Sequence, residues 1–294
     1  CGGDALAPIA AQQDAVELHS ARATIAQPTR DDAALLATPF RDYTRYPVVV
    51  QSDSSADIYA VSDIHGDYDR LVALLVRYGL LARAPTNPAA ATWAGGAAVL
   101  VVTGDVIDKW DGALPALALL QALATDAERA GGRVLVTAGN HEAEFLADPT
   151  TSKADDFIAE LRAAGIAPGD VAAGRNALGQ YLRSLPIAAR VRDWFFCHAG
   201  NTGGRTLAKL TADVEKGLNK SGFGAAVLSD DASILEARVE PTPWWETGRD
   251  PAGTLRSHAA ALGVAHIVMG HQPGKYTFAD GEKRSKGTIV GRYG

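Results

Sequence analysis

Five short polar segments, each placed directly after an apolar run, constrain this chain to a narrow set of folds. The runs are typical of buried strands, most clearly the β-branched run at residues 97–103. Side chains that follow the ends of such strands converge on one edge of an α/β scaffold. The segments occupy residues 63–65, 104–108, 139–142, 198–201 and 270–273. Four of the chain's seven histidines fall inside them, which indicates one shared site.

Helical patterns between the apolar runs indicate the α/β class. Apolar residues with helical spacing follow the first run, at Leu71, Leu75 and Tyr78, and two glycines stop a later helical pattern. We therefore predict one catalytic α/β domain over residues 53–294. Within it, residues 149–187 are punctuated by prolines and are predicted to form a helical insertion over the site.

The start of the chain has a different character. Residues 1–52 are predicted to be an N-terminal extension, because most of them are rich in Ala, Gln and Asp with weak periodicity. Cys1, which two glycines follow, looks like the processed start of a bacterial lipoprotein. That interpretation places the protein in the cell envelope, in the periplasm, with an N-terminal lipid anchor as its membrane contact. The alternative is an arbitrary boundary at Cys1 and a cytoplasmic protein.

The charge balance disfavours a nucleic-acid partner. The formal net charge is −6 over 294 residues, whereas nucleic-acid binding calls for a basic surface. An acidic protein that binds an anionic ligand needs local positive charge, which divalent metal ions supply. The second cysteine, Cys197, lies in an apolar strand pattern and is predicted to be a buried thiol. Composition gives no indication of the oligomeric state.

The polar segments provide two ligand sets for divalent cations, with one carboxylate common to both. The first set is Asp63, His65 and Asp105, and the second is Asp105, Asn140, His198 and His271. A shared carboxylate holds two cations about 3.5–4 Å apart, the separation used in two-metal phosphoryl chemistry. A mixed set without thiolate disfavours structural zinc, and we expect manganese, with iron, zinc, cobalt, nickel or magnesium as alternatives. Each segment alone could be an ordinary strand end or helix cap, so the prediction rests on all five together.

The motifs resemble those of the calcineurin-like metallophosphoesterase superfamily, in particular its phosphoprotein phosphatase branch of the bacterial Shewanella-like type. Motifs of that branch run Gly-Asp-x-His-Gly, Gly-Asp-x-x-Asp-Arg, Gly-Asn-His-Glu, His-Ala-Gly and Gly-His. This chain has Ser-Asp-Ile-His-Gly at 62–66, Gly-Asp-Val-Ile-Asp-Lys at 104–109, Gly-Asn-His-Glu at 139–142, His-Ala-Gly at 198–200 and Gly-His at 270–271. The resemblance covers residues 57–290 and implies a four-layer α/β/β/α sandwich.

The resemblance also implies a mechanism. It suggests a dinuclear phosphomonoesterase, a protein phosphatase for tyrosine, serine or threonine, in which a hydroxide that bridges both cations attacks phosphorus directly. Asp105 would be the bridging ligand. His141 would donate a proton to the leaving oxygen, and Asp108 would orient its imidazole. The wider superfamily often continues to a further histidine ligand, but this chain has Pro273 at that place.

The residues expected to hold the phosphate depart from the family pattern. Lys109 stands where the family has arginine, and lysine cannot make the bidentate contact of a guanidinium. Arg249 is the candidate to replace a second family arginine, because Glu246 occupies the comparable position. Trp245 and Asn140 are also predicted to contact the substrate. Weaker candidates are Arg183, Arg238 and Arg256.

Alternative functions stay open at the level of sequence. The expected partner is a phosphorylated protein or a small phosphate ester, but a nucleotide or dinucleoside-polyphosphate hydrolase can share the same metal core. A non-catalytic envelope lipoprotein could keep the scaffold for binding alone. The intact pair of His141 and Asp108 disfavours this last alternative, because binding does not require a proton donor.

Overall fold

The computed structural model describes residues 40–239, 242–247 and 250–272, and two short strands at 276–277 and 283–284. Several sequence predictions fall outside the described residues. They concern Cys1 and the leader up to residue 39, Arg249 and Pro273.

The structure contains nine described strands, numbered here in chain order, which include all five strands that the sequence predicted before the polar segments. They are β1 (Val49–Ser52), β2 (Ile58–Val61), β3 (Val99–Val102), β4 (Arg133–Val136), β5 (Ala188–Val191), β6 (Trp194–Cys197), β7 (His266–Val268), β8 (Tyr276–Thr277) and β9 (Lys283–Arg284). The site strands β2, β3, β4, β6 and β7 each end immediately before, or a few residues before, one polar segment.

Two sheets carry these strand ends. One is parallel, in the order β2-β3-β4, and the other has the order β1-β5-β6-β7, in which only the β5–β6 pair is antiparallel. Ile58, Val99 and Arg133 stand in register across the first sheet. The carboxyl ends of β2, β3 and β4 therefore lie at the same edge, where α/β proteins bind ligands. Strands β8 and β9 form a separate antiparallel pair.

Helices connect the strands. They are α1 (Tyr68–Arg77), α2 (Ala113–Arg129), α3 (Asn140–Ala147), α4 (Asp155–Ala163), α5 (Pro168–Ala172), α6 (Ala177–Ser184), α7 (Leu207–Ser221), α8 (Ala226–Ser229) and α9 (Pro251–Leu262), with short 3₁₀ turns at Pro88–Ala90, Ser152–Ala154, Gly222–Gly224 and Trp244–Thr247. The caps are conventional at several starts, as at α1, where the Asp67 carboxylate accepts the Arg70 N–H at 3.1 Å. Within the described part of the chain, every helix is too short or too polar to cross a bilayer.

The two sheets pack face to face through an apolar layer. Val99 and Val101 of β3 lie against Val191 and Phe196 of the second sheet. Leu100, the residue between them on β3, points to the opposite face of the sheet. It joins the larger core that includes residues of α1, α2 and α7. Helices thus cover the outer faces, and the predicted four-layer α/β/β/α arrangement is confirmed.

Strands β1 and β5 are the elements that the sequence analysis missed. Residues 49–52, which fall inside the predicted N-terminal extension, form β1 and pair with β5. Alanine is a weak strand former, yet Ala188 and Ala189 of β5 are fully buried. Burial between layers outweighs their intrinsic preference. The predicted insertion at residues 149–187 contains α4, α5 and α6.

A buried glutamate joins the two turns that follow β3 and β4. Glu142 lies in the first turn of α3 and is 0% exposed. Its Oε2 accepts the amide N–H groups of Asp105 at 2.9 Å and Gly139 at 2.7 Å. Its Oε1 accepts those of Val106 at 2.8 Å and Ile107 at 3.1 Å. One carboxylate therefore satisfies four buried backbone donors that have no strand or helix partner.

Replacing Glu142 by glutamine tests this bracing. The Glu142→Gln side chain keeps one acceptor oxygen but turns an NH₂ group toward two of the four N–H donors. We expect a loss of about 3–5 kcal/mol in the free energy of unfolding, measured by urea denaturation. Glu128→Gln, the same change at an exposed position on α2, is the matched control and should cost less than about 0.5 kcal/mol. Equal losses in the two variants would contradict the bracing role.

Candidate metal centre

Asp105 stands at the centre of the polar cluster. It follows β3, and its carboxylate is buried. Its Oδ2 lies 3.3 Å from His198 Nε2, 3.4 Å from His65 Nε2 and 3.9 Å from His141 Nε2. Three imidazoles from three different turns therefore face one carboxylate oxygen, as a shared ligand would require.

On one side of Asp105 a compact set of ligand atoms converges. His198 Nε2 lies 3.0 Å from Asn140 Oδ1 and 3.0 Å from His271 Nδ1. Asn140 Oδ1 is also 3.2 Å from His271 Nδ1. The atoms of Asp105, His198 and His271 lie within 4.8 Å of one another. All four residues of the predicted second ligand set are therefore brought together.

The other side of Asp105 is less complete. His65, Asp105 and His141 offer atoms within 4.8 Å of one another. Asp63, which the sequence placed in the first ligand set, lies farther out, with its Oδ1 4.0 Å from His65 Nε2. Its other oxygen accepts the backbone N–H of His271 at 2.9 Å. The structure thus brings Asp63 to the rim of the group and brings His141 inside it.

Backbone carbonyls orient two of the imidazoles. His198 Nδ1 lies 2.9 Å from the carbonyl oxygen of Thr103, and His65 Nδ1 lies 3.2 Å from that of Ile107. A carbonyl can only accept, so each Nδ1 carries a proton, and Nε2 is the ring nitrogen that faces the cluster and can bind a metal. Metal-binding histidines commonly donate their other ring N–H to a backbone carbonyl in this way.

The turns of the cluster are strained. Among described residues other than glycine, seven have a positive φ. Five of them belong to the polar segments, namely Asp63, His65, Asp105, Asp108 and His271, and Lys109 directly follows the second segment. A left-handed backbone costs such residues about 1–2 kcal/mol each. Strain of this kind persists where the surrounding structure fixes the side chains for a function, and here it points the polar groups inward.

Charges in the cluster shift the pKa values of its members. Burial lowers the pKa of His198, but the charge of Asp105 and a hydrogen bond to it outweigh burial and raise that pKa to about 9. Burial and the neighbouring His198 lower the pKa of His271 to about 4. Burial opposes ionisation of Asp105, yet the three nearby histidines hold its pKa well below the usual range. Without a metal, the proton on His198 pairs with Asp105; metal binding would displace it.

The donor chemistry suits divalent metal ions. Carboxylate, amide oxygen and imidazole nitrogen form the set, with no thiolate among the described members. Nδ1 of His271 faces both Asn140 Oδ1 and His198 Nε2. Lone pairs from separate turns that face one another need a cation between them. We conclude that the cluster fits the predicted pair of metal sites.

His141 and Asp108 are placed together, as the sequence predicted. His141 Nδ1 lies 3.1 Å from Asp108 Oδ2, in an orientation that is not a well-aligned hydrogen bond. The second oxygen of Asp108 accepts the N–H groups of Asp156 at 3.0 Å and Phe157 at 3.4 Å, at the start of α4. The predicted insertion therefore holds Asp108 in place, because the first turn of α4 donates two N–H groups to its carboxylate.

A small polar cavity opens onto the cluster. Its volume is about 200 Å³. Its described lining residues are Asp105, Lys109, Asn140, His141, Lys153, Arg238, His271 and Gln272. The predicted substrate residues Lys109 and Asn140 are both among them. Lys109 Nζ reaches to 2.7 Å from His65 Nε2.

The structure does not bring Trp245 to this cavity. Trp245 is 7% exposed, and its ring packs edge-on against Trp244 with the centroids 5.2 Å apart. Of the weaker arginine candidates, only Arg238 lines the cavity. Arg183 stacks over the ring of Phe40 at 4.2 Å, and Arg256 pairs with Asp250 at 3.7 Å.

Lys153 is a cavity residue that sequence reasoning missed. It lies in a 3₁₀ turn of the predicted insertion, and its ammonium contacts the Glu144 carboxylate. Glu236 is buried beside this pair, and burial together with a hydrogen bond to Glu144 raises its pKa to about 7. Nothing in the local sequence distinguishes Lys153 from a surface lysine, because tertiary packing alone brings the insertion over the site.

Comparison with known proteins agrees with this geometry. The family described as calcineurin-like phosphoesterase matches residues 56–275. An uncharacterized protein of Schizosaccharomyces pombe is 37% identical over 198 residues, 66% of this chain and 48% of that protein. Shewanella-like protein phosphatase 2 of Arabidopsis thaliana is 35% identical over 85 residues, 29% of this chain and 20% of that protein. The chain spans about half the length of the first relative and less of the second.

Solved structures share the fold. A cold-active protein tyrosine phosphatase superposes with a TM-score of 0.59 at 22% identity, over 77% of this chain and 66% of that one. The cold-active protein-tyrosine phosphatase of a psychrophile Shewanella species gives 0.54 at 21% identity, over 77% and 68%. Since the family match covers well over half of the chain and its motif residues converge on one cluster, this protein belongs to the calcineurin-like phosphoesterase family.

Proposed function

We propose that this protein is a two-metal phosphomonoesterase that removes phosphate from protein side chains by direct attack of water. The observation that carries the proposal is the position of Asp105, which belongs to both candidate ligand groups. A carboxylate common to two groups is the arrangement that two-metal phosphoryl chemistry uses.

The residues on the two sides of Asp105 have different tasks. His198, Asn140 and His271 would hold one cation, while His65 and Asp63 would hold the other together with Asp105. Bound there, two divalent cations activate a water near neutral pH and offset the charge of the phosphoryl oxygens. Glu142 keeps the Asp105 turn in place, so the ligand geometry exists before substrate arrives.

The protein's own groups supply the remaining chemistry. His141 Nε2 faces the cluster, 3.9 Å from Asp105 Oδ2, and is the candidate to give a proton to the leaving oxygen. Asp108 faces the other ring nitrogen and is the candidate to hold the imidazole in place for that donation. Lys109 and Arg238 line the cavity and place positive charge next to the phosphoryl group.

The substrate class rests on similarity as well as on the cavity. One curated relative is described as a protein phosphatase, and two structural neighbours as protein tyrosine phosphatases. A cavity of about 200 Å³ holds a phosphoryl group but leaves the rest of a protein substrate outside. Initial rates on phosphotyrosyl, phosphoseryl and phosphothreonyl peptides, measured beside diadenosine tetraphosphate, test the assignment. Turnover of diadenosine tetraphosphate alone would contradict it, and absence of any turnover with manganese present would favour a binding protein.

Changing the shared carboxylate should remove metal and activity together. For Asp105→Asn we expect metal content after dialysis against manganese to fall from about two equivalents to one or fewer. Because the amide carries no charge, we expect turnover of p-nitrophenyl phosphate to fall at least about 10²-fold. Asp213→Asn, at an acid on α7 that pairs with Lys209, is the control and should retain both. Wild-type metal content and turnover in Asp105→Asn would refute the shared ligand.

Removing the proposed proton donor should affect substrates unequally. For His141→Ala we expect kcat to fall about 10²–10⁴-fold on a phosphoseryl peptide, while both metals stay bound. The fall should be smaller on p-nitrophenyl phosphate, because p-nitrophenolate leaves readily without a proton. Equal falls on both substrates would argue against proton donation. Loss of one metal would instead identify His141 as a ligand, a role that its distance from Asp105 also allows.

A further inference from the structure

Trp110 is the most exposed large apolar side chain among the described residues. It is 62% exposed, compared with 56% for Tyr78 and 36% for Leu74. It follows Lys109, which lines the cavity. An exposed indole next to a ligand site is a common device for binding flat groups.

The backbone that presents Trp110 is fixed. A Cβ atom on Gly66 would lie 2.6 Å from the carbonyl oxygen of Trp110, so the two turns are in direct backbone contact. Gly66 has a φ of +74°, and it follows His65. Farther along, Glu160 accepts the N–H groups of Ala113 at 3.1 Å and Leu114 at 2.9 Å. A side chain held on such a turn loses little additional entropy when it binds a ligand.

The cavity itself offers nothing apolar. Every described residue of its lining is polar or charged, so it suits a phosphoryl group and not a hydrocarbon ring. Trp245 is buried. Trp244 stacks on His258 with the centroids 5.1 Å apart, and its indole N–H donates to the carbonyl oxygen of Ala199 at 3.2 Å. An apolar contact for the group attached to the phosphate must therefore come from the rim.

The chain places Trp110 beside the site. It directly follows Lys109, whose Nζ lies 2.7 Å from His65 Nε2, and its carbonyl contacts the turn of Gly66, the residue after His65. We propose that Trp110 stacks on an aromatic ring carried by the phosphate ester and thereby selects aryl over alkyl phosphates. This inference rests on the proposed function and names the substrate class of the same site.

Kinetics on paired substrates test the proposal. For Trp110→Ala we expect KM for phenyl phosphate to rise about 3–10-fold, as expected for one lost ring contact, with kcat within about twofold. KM for glycerol 2-phosphate should not change, and Trp110→Phe should recover most of the aryl affinity. Tyr78→Ala removes an exposed ring at the far end of α1, where it packs near Tyr59, and is the matched control. An equal rise for both substrates, or none for phenyl phosphate, would overturn the inference.

A comparison of AMP with phenyl phosphate tests whether the ring must be attached directly to the phosphate. AMP carries its ring one sugar away from the phosphate, whereas phenyl phosphate carries it directly on the ester oxygen. We expect Trp110→Ala to change KM for AMP less than for phenyl phosphate. A larger change for AMP would overturn the assignment to directly linked rings.

Fluorescence provides a reading that does not depend on turnover. We expect phenylphosphonate, which is not hydrolysed, to change the tryptophan emission of the wild-type protein and not that of Trp110→Phe. An emission change in Trp110→Phe equal to that of the wild type would place the ring elsewhere. If the wild-type protein hydrolyses no phosphate ester, the proposed function is contradicted. If the wild type is active and Trp110→Ala has the wild-type KM for phenyl phosphate, only this inference is contradicted.

Discussion

The geometry of the site depends on the four hydrogen bonds that the buried carboxylate of Glu142 accepts. They join the turn after β3 to the turn after β4. A further bond, from the His141 N–H to Asp105 Oδ1 at 3.1 Å, ties the same two turns. Burial and the charge of Asp105 raise the pKa of Glu142, while four N–H donors favour its charged form. The acceptor role explains why a glutamate with no contact to substrate sits in a motif of ligands.

This bracing also offsets strain. The left-handed backbone at Asp105 and at Asp108 turns their carboxylates toward the cluster, at about 1–2 kcal/mol each. Charged hydrogen bonds to buried donors contribute about 1.5–3 kcal/mol each, which is enough to hold such turns. Gly139 permits the close approach, because a Cβ atom there would lie 2.4 Å from the backbone nitrogen of Asp105. The strained turn after β3, the hydrogen bonds to Glu142 and the close approach of Gly139 thus occur together. Each of them helps to fix the positions of the ligand side chains.

The sequence predicted the parts of the site that obey local rules. An apolar run followed by a polar turn identified the strand ends at which Asp105, Asn140 and His198 lie, because strand length and side-chain type are local properties. The rest depends on tertiary packing. Strand β5 forms because it is buried on both sides, despite its alanines. Lys153 reaches the cavity because the insertion folds over the site, and Trp245 is buried although aromatic residues near a motif often line a groove.

The two sides of Asp105 are unequal, and Lys109 explains much of the inequality. On the side of His198, the ligand atoms contact one another directly. On the other side, the ammonium of Lys109 lies 2.7 Å from His65 Nε2. A cation bound to His65 would compete with this ammonium and repel it by Coulomb forces. The displaced lysine would then point into the polar cavity, where a phosphate ester can accept its charge. The same exchange would turn a residue that stabilises the metal-free cluster into one that contacts substrate.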